Sequence, residues 1–169
     1  MKKQSAGLLV YRIKDNQPEV LIAHMGGPWW AKKDKGAWSI PKGEYEAGED
    51  PLKTAYREFK EELGQKTPKN KPIELGTIDQ KNNKTVIAWA VEGDLDVSVI
   101  KSNTFNMEWP PKSGKIQKFP EIDRADWFGL EQAAQKLIPE QMPFLERLAH
   151  KLKINFKPPE TEPQQNRLF

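Results

Sequence analysis

Three glutamates, Glu58, Glu61 and Glu62, lie close together at the end of a segment that reads PLKTAYREFKEELG. If this segment is a helix, each carboxylate near its C-terminus costs about 0.3–1 kcal/mol at an exposed site, because that end carries partial negative charge. Glu58 and Glu62 are also four residues apart, so their like charges face each other and destabilise the helix further. A positive group outside the helix should compensate for this repulsion.

The three carboxylates share one side of the predicted helix. At 100° per residue they fall within a sector about 100° wide, beside the apolar face. Arg57 falls in the opposite polar sector, so the charges are segregated by position rather than interleaved. A divalent cation with oxygen ligands would remove the repulsion. An ordinary solvated acidic face is the alternative.

The rest of the composition limits which metal this site could bind. The chain has no cysteine and only two histidines, His24 and His150, so thiolate sites and multi-histidine sites are excluded or disfavoured. Oxygen ligands favour hard cations. We therefore expect Mg2+, with Mn2+ as the substitute.

The elements that must position these residues belong to one domain. A chain of 169 residues with 37% hydrophobic and 30% charged residues suits a single soluble domain. We expect this domain at residues 1–153 and a mobile, proline-bearing tail at 154–169. No apolar run approaches the ~20 residues that span a bilayer, and charged residues interrupt the N-terminal apolar stretch, so we expect a cytoplasmic protein.

Strand patterns surround one central helix. Asp50 is a suitable N-cap, Pro51 fits the first helical position and Gly64 fits the end, which predicts a helix over 51–63. Residues 94–120 show no clear period and are predicted to be a long loop or insertion. The other predicted elements are strands at 5–13, 18–25, 37–41, 72–80, 84–92 and 123–130, and helices at 130–137 and 141–152. This order suggests a mixed sheet with helices on both faces.

The residues around the acidic helix resemble the signature of the Nudix hydrolase superfamily. That signature is Gly, five residues, Glu, seven residues, Arg-Glu, a hydrophobic residue, any residue, Glu-Glu, any residue and Gly, then a hydrophobic residue. Only the last position departs from it, because Gln65 stands where a hydrophobic residue is usual. The matching residues are Gly43, Glu49, Arg57, Glu58, Phe59, Glu61, Glu62 and Gly64.

The resemblance extends more softly over about residues 5–150, to a bacterial branch of predicted nucleotide pyrophosphohydrolases. It implies an α+β fold of the Nudix type, a mixed β-sheet between helices, with the signature forming a loop–helix–loop. It also implies that Glu58, Glu61 and Glu62 bind the metal together with the Gly43 carbonyl. We refer to these four residues as the box site.

The same resemblance implies roles for the neighbouring residues. Arg57 and Glu49 are expected to orient the catalytic helix and loop, for which a plain structural ion pair is the alternative. In some relatives the general base is a glutamate of the signature, which we call the box. In others it is a glutamate outside the box. Here Glu121 is the first candidate outside the box and Glu108 the second, and either could be a surface acid.

Lysines and tryptophans are the candidate substrate contacts. Lys42 precedes Gly43 and is expected to face the substrate phosphates, with Lys33 and Lys35 as weaker candidates; solvated lysines are the alternative. Trp29, Trp30 and Trp109 could stack on a nucleobase or simply pack over the sheet edge. Trp89 and Trp127 lie in strand patterns and are expected in the core.

The expected function is a Mg2+-dependent pyrophosphohydrolase that cleaves a nucleoside diphosphate linked to another moiety, by attack of water on phosphorus. A dinucleoside polyphosphate or a nucleoside triphosphate is the expected substrate. In the family, a tyrosine at a set position downstream of the box suggests dinucleoside polyphosphates and a proline at another suggests ADP-ribose, and neither residue stands at its position here. The alternatives are a non-catalytic nucleotide-sensing domain and an enzyme acting on the 5′ end of RNA. We expect a monomer or homodimer, with no membrane and no stable nucleic-acid partner.

Overall fold

A computed structural model describes residues 2–160 of the chain. Its elements follow in chain order: β1 (Lys3–Lys14), β2 (Gln17–Met25), β3 (Trp38–Ser39), β4 (Lys42–Glu44), α1 (Pro51–Leu63), β5 (Ile73–Gln80), β6 (Lys84–Glu92), β7 (Thr104–Glu108), β8 (Ile116–Pro120), β9 (Ile122–Gly129), α2 (Leu130–Lys136) and α3 (Met142–Lys151). A short 3₁₀ helix, Val97–Val99, precedes β7.

Seven of the strands form one mixed sheet. Its main order is β3-β2-β1-β6-β5, with β4 paired to β1 and β9 paired to β2. The β1–β2 hairpin is antiparallel, whereas β1 and β6 are parallel, with Ala6 opposite Ile87. The central strand β1 is buried continuously from Ser5 to Tyr11 because helices cover both faces of the sheet.

The two faces of the sheet have separate cores. Helix α1 packs on one face through Ala55, Phe59 and Leu63. Helices α2 and α3 pack on the other, where Phe144 and Leu148 are fully buried. The predicted α+β fold, a mixed sheet between helices, is therefore confirmed.

The caps predicted for the central helix are present. The Asp50 side chain accepts a hydrogen bond from the Leu52 N–H at 2.9 Å, and Pro51 begins α1. Gly64 ends the helix at φ 67°, and its N–H donates to the Lys60 carbonyl. Phe59 and Leu63 are buried, as expected. Trp127 is also buried, and Trp89 is partly buried against the same core.

The predicted long loop at 94–120 is wrong. The segment contains the 3₁₀ helix and an antiparallel hairpin of β7 and β8, with Phe105 opposite Phe119. The alternation is short, and every other residue of β7 is exposed and polar, so neither strand has the apolar period that marks a buried element. Strand β4 was also missed, because KGE carries no apolar residue.

Backbone hydrogen bonds attach this hairpin to the end of α1. The N–H of Lys101 donates to the Leu63 carbonyl at 2.9 Å, and the N–H of Asn103 donates to the Glu61 carbonyl at 3.3 Å. At the other end of the hairpin, the Glu121 N–H donates to the Asn103 carbonyl at 2.8 Å. The residues that enter and leave the hairpin therefore lie beside α1.

The chain remains packed beyond the last helix. The Ile154 N–H donates to the Ala149 carbonyl at 2.9 Å, and Phe156 packs against the core beside α3. Residues 161–169 of the predicted tail lie outside the described residues, so its mobility stays a prediction. Between residues 2 and 160, no helix has the length and apolar character needed to cross a membrane.

Gly64→Ala should destabilise the fold more than Gly36→Ala. Both glycines have positive φ, 67° and 70°, and a left-handed alanine costs about 1–2 kcal/mol. A Cβ at Gly64 would also lie 2.7 Å from the Lys101 carbonyl oxygen, whereas nothing lies within 4 Å of one at Gly36. We expect Gly64→Ala to lose at least about 1 kcal/mol more in urea unfolding. Equal losses would mean that the close contact with residue 101 does not constrain the helix end.

Candidate active site

The box site begins where β4 passes the side of α1. Strand β4 pairs with β1, so that Gly43 lies opposite Ala6 and the sheet fixes its backbone. The Glu58 carboxylate lies directly against the Gly43 Cα, in the space that a Cβ there would occupy. Only glycine permits this contact, which explains the first residue of the signature in steric terms.

Glu62 lies against the preceding residue of the same strand. The Lys42 N–H donates to Glu62 Oε2 at 3.2 Å. The pKa of Glu62 is raised to about 8, chiefly by burial and in smaller part by the negative charge of Glu58, while the charge of Lys42 opposes the shift. At neutral pH this carboxyl therefore retains its proton unless a positive charge arrives.

Glu58 and Glu121 extend the same field of negative charge. Burial is the main cause that raises the pKa of Glu58, followed by the charge of Glu61, while Arg57 lowers it. The charge of Glu121 raises the pKa of both Glu58 and Glu62. The Glu121 N–H also donates to the Asn103 carbonyl, and the Asn103 N–H donates to the Glu61 carbonyl, so the structure brings Glu121 close to the box site. Glu108 is an exposed residue at the end of β7, opposite Ile116 in the hairpin.

Arg57 connects the acidic side chains of the helix to the preceding loop. Its Nη1 lies 3.4 Å from Glu49 Oε2, its Nη2 lies 3.6 Å from Glu58 Oε1, and its Nε lies 3.9 Å from Glu61 Oε1. The segregation of charge inferred from helix positions is therefore incomplete, because the long arginine side chain reaches the acidic sector. Half of this side chain remains exposed, which weakens the compensation it supplies.

The donor atoms of the box site suit a hard divalent cation. They are carboxylate and carbonyl oxygens, and two of the carboxyls, on Glu58 and Glu62, are half-buried with raised pKa values. No three acidic, histidine or cysteine side chains in the described part of the chain are already arranged around one point as metal ligands. Glu61, which is 44% exposed, lies beside Arg57. The residues fit the ion by chemistry and burial, whereas a three-carboxylate cluster is not preformed.

The predicted lysine contacts separate into two places. Lys42 is half-buried at the box site, where burial lowers its pKa against the opposing charge of Glu62. Lys33 lies elsewhere, with its Nζ 5.1 Å from the Trp30 ring centroid. Lys35 is exposed in the same loop. Within residues 2–160, neither Lys33 nor Lys35 forms an ion pair with a box glutamate.

The three candidate tryptophans are also divided. Trp30 packs against the core on the α2 side of the sheet, so for this residue the packing alternative applies. Trp29 is 55% exposed and meets Trp109 edge to face, with ring centroids 5.3 Å apart. Trp109 follows β7, so this aromatic pair joins the loop after β2 to the hairpin. Gly27, near the start of that loop, lies under the Phe105 ring.

One group near the site gave no sequence signal. His24 on β2 is fully buried and lies 2.8 Å from Asp123, a residue of β9. The two residues are far apart in the chain, and a single histidine in EVLIAHM resembles an ordinary strand residue. A charged residue two positions after Glu121 was the one available hint.

Comparison with known proteins identifies the family of this chain. The NUDIX domain matches residues 1–148. A mouse bis(5'-nucleosyl)-tetraphosphatase (asymmetrical) is 33% identical over 103 residues, which cover 58% of this chain and 59% of that protein. The match therefore spans less than two thirds of this curated relative.

Solved structures agree on the fold. A Caenorhabditis elegans Ap4A hydrolase in a binary complex is 22% identical, with a TM-score of 0.61 over 88% of this chain and 98% of that one. The NUDIX domain of Shewanella oneidensis NrtR complexed with ADP ribose is 14% identical, with a TM-score of 0.60 over 90% and 89%. At these identities the likeness shows the fold alone.

Glu62→Gln should stabilise the metal-free protein. The raised pKa means that the folded state retains a proton that the unfolded state releases, so stability falls as pH rises from about 4.5 to about 8. Glutamine removes this loss. We expect a higher Tm at pH 8 by several degrees, since 1 kcal/mol is worth about 2–4 °C in a chain of this size. We also expect a flatter dependence of Tm on pH.

Glu61→Gln is the matched control for this stability measurement. Glu61 is 44% exposed, so its substitution should leave the pH dependence of Tm nearly unchanged. The Tm of each variant is measured by thermal unfolding in EDTA. A lower Tm for Glu62→Gln than for the unmodified protein at pH 8 would show that the ionised Glu62 does not destabilise the fold, which would contradict its raised pKa.

Proposed function

This chain belongs to the NUDIX family, and we propose that it is a Mg2+-dependent pyrophosphohydrolase that cleaves a nucleoside diphosphate linked to another moiety. The proposed reaction is attack of water on phosphorus in a phosphoric anhydride. The observation that carries the proposal is the pair of half-buried carboxyls, Glu58 and Glu62, set against the Gly43 and Lys42 backbone with Glu121 close by. Burial and mutual repulsion raise the pKa of both carboxyls, which does not stabilise the fold, so their placement favours a bound cation.

Mg2+, or Mn2+ in its place, would be held by Glu58, Glu61, Glu62 and the Gly43 carbonyl and would supply positive charge for the substrate phosphates. Arg57 and Glu49 act as the positioning pair, because Glu49 also accepts a hydrogen bond from the Glu46 N–H at 3.0 Å and closes the loop before α1.

Glu121 is the proposed general base. Its charge acts on both half-buried box carboxyls and its backbone is connected through Asn103 to the Glu61 carbonyl, so it borders the site, yet it is exposed to water. It accepts the proton of the attacking water, and general base catalysis of this kind contributes about 10²- to 10⁴-fold. Lys42 lies beside the same carboxyls and is the proposed contact of the protein with the substrate phosphates.

A dinucleoside polyphosphate is the proposed substrate, with a nucleoside triphosphate as the second candidate. The named activity of the mouse relative supports the first candidate. The exposed Trp29 ring supports a base-bearing substrate in either case, since an exposed aromatic face can stack on any nucleobase.

The test is release of phosphate and nucleotide from dinucleoside polyphosphates, nucleoside triphosphates, ADP-ribose and nucleotide sugars, with and without Mg2+. Glu58→Gln and Glu62→Gln should abolish the metal-dependent cleavage. Glu121→Gln should lower kcat about 10²- to 10⁴-fold. Glu108→Gln, at an exposed glutamate of the hairpin, is the control and should retain activity. Nucleotide binding without turnover of any substrate would contradict the proposal and favour a sensing domain.

Trp29→Ala should weaken substrate binding. Base stacking is worth about 1–3 kcal/mol, so we expect KM for a dinucleoside polyphosphate to rise about 5- to 100-fold with little change in kcat. Ile116→Ala, at a residue of the β7–β8 hairpin that is 66% exposed, should leave KM unchanged. Titration of tryptophan fluorescence with nucleotide gives an independent readout. An unchanged KM in Trp29→Ala would assign the indole to packing on Trp109 alone.

A further inference from the structure

We propose that His24 and Asp123 form a positioning pair that holds Glu121 in place at the box site. The inference rests on the proposed role of Glu121 as the general base. It concerns two residues that contact neither the box glutamates nor Gly43 in the described structure. Neither belongs to the signature of the family.

The surroundings of His24 require two protons. The ring is 0% exposed; its Nδ1 lies 2.8 Å from Asp123 Oδ1 and its Nε2 lies 2.6 Å from the Lys33 carbonyl oxygen. A carbonyl oxygen accepts hydrogen bonds and cannot donate them, so Nε2 must carry a proton. The contact with Asp123 needs a second proton, located between Nδ1 and the carboxylate. His24 and Asp123 therefore share a hydrogen bond through this second proton.

The backbone is irregular at Asp123, where the register between β2 and β9 shifts by one residue. Strands β2 and β9 pair in register from Glu19 opposite Gly129 to His24 opposite Arg124, and then Met25 lies opposite Ile122. Asp123 is thus the extra residue of a β-bulge. Bulges bend a strand and redirect its side chains, and they are frequent beside active sites. The bond to His24 gives the extra residue a buried partner.

The bulge determines where Glu121 lies. Immediately past it, the Gly26 N–H donates to the Glu121 carbonyl at 2.8 Å. A Cβ at Gly26 would overlap the Pro120 carbonyl, so the two segments are in direct backbone contact. Residue 121 therefore depends on the register that the bulge creates. Loss of the His24–Asp123 bond would allow the strands to pair regularly, which shifts Glu121 relative to α1.

His24 also holds the loop after β2 through the Lys33 carbonyl. The ring contacts Trp38 edge to face at 5.2 Å, so its orientation is fixed from a third side. A histidine that merely fills the core would affect stability without a selective effect on catalysis. A positioning residue should instead lower kcat while KM stays nearly constant, because a displacement of about 1 Å can cost 10²-fold in rate.

The proton count can be measured directly on the unmodified protein. The chain has two histidines, His24 and His150, so an imidazole ¹H–¹⁵N correlation spectrum contains two rings. His150→Gln assigns them, because His150 is exposed on α3. We expect both His24 nitrogens to show the shifts of protonated or strongly hydrogen-bonded nitrogen at pH 7, and Asp123→Asn to remove this at Nδ1. A His24 ring with one bare nitrogen facing Asp123 in the unmodified protein would overturn the proposal.

The kinetic test uses His24→Gln and Asp123→Asn, with His150→Gln as the control. Either variant should lower kcat about 10- to 100-fold with KM within about twofold. Because both act through Glu121, adding either change to Glu121→Gln should cost little more, so the double variants are non-additive.

The outcomes separate this inference from the proposed function. If Glu121→Gln lowers kcat but His24→Gln and Asp123→Asn fold and keep full kcat, the positioning role is overturned and the general base stands. If Glu121→Gln leaves kcat unchanged, the general-base assignment fails and the inference fails with it. Full additivity with Glu121→Gln would also overturn it, by showing that the pair acts independently of Glu121.

Discussion

The contact between strand β4 and helix α1 is the constraint on which the rest of the site depends. Because Gly43 has no side chain, the Glu58 carboxylate reaches the strand backbone, and the neighbouring Lys42 N–H bonds Glu62. Strand β4 is held in the sheet by its pairing with β1, and the capped ends of α1 fix the positions of its glutamates. Two acidic side chains are thereby kept out of water at a place that a free helix would not tolerate.

The carboxyls of this site lower the stability of an otherwise well-packed domain. The buried faces of α1, α2 and α3 stabilise the sheet, while the box carboxyls work against it until positive charge is present. Arg57 relieves part of the repulsion from the solvent side, and Lys42 offsets only part of it on the inner side, where the pKa of Glu62 remains raised. Such a balance is typical of sites where stability is lost for function.

The sequence predicted what depends on local pattern and failed where distant segments meet. Asp50, Pro51 and Gly64 were sufficient for the bounds of α1, and the apolar, β-branched composition of β1 and β2 with the polar KDNQP between them was sufficient for the first hairpin. The 104–120 hairpin was missed because its outward residues are polar and its strands have five residues each. The bond from His24 to Asp123 and the effect of Glu121 on Glu62 join segments that only the folded sheet brings together.

In our proposal, the half-buried carboxyls of Glu58 and Glu62 bind a divalent cation. Calorimetric titration with Mg2+ at pH 7, in buffers with different ionisation enthalpies, tests it without any substrate. Ligand carboxyls must lose their protons, and Glu62 retains one at this pH because its pKa is raised to about 8. We expect saturable binding that releases about one proton per ion, with both signals lost in Glu62→Gln. Absence of Mg2+ binding, or binding with no proton released, would contradict it.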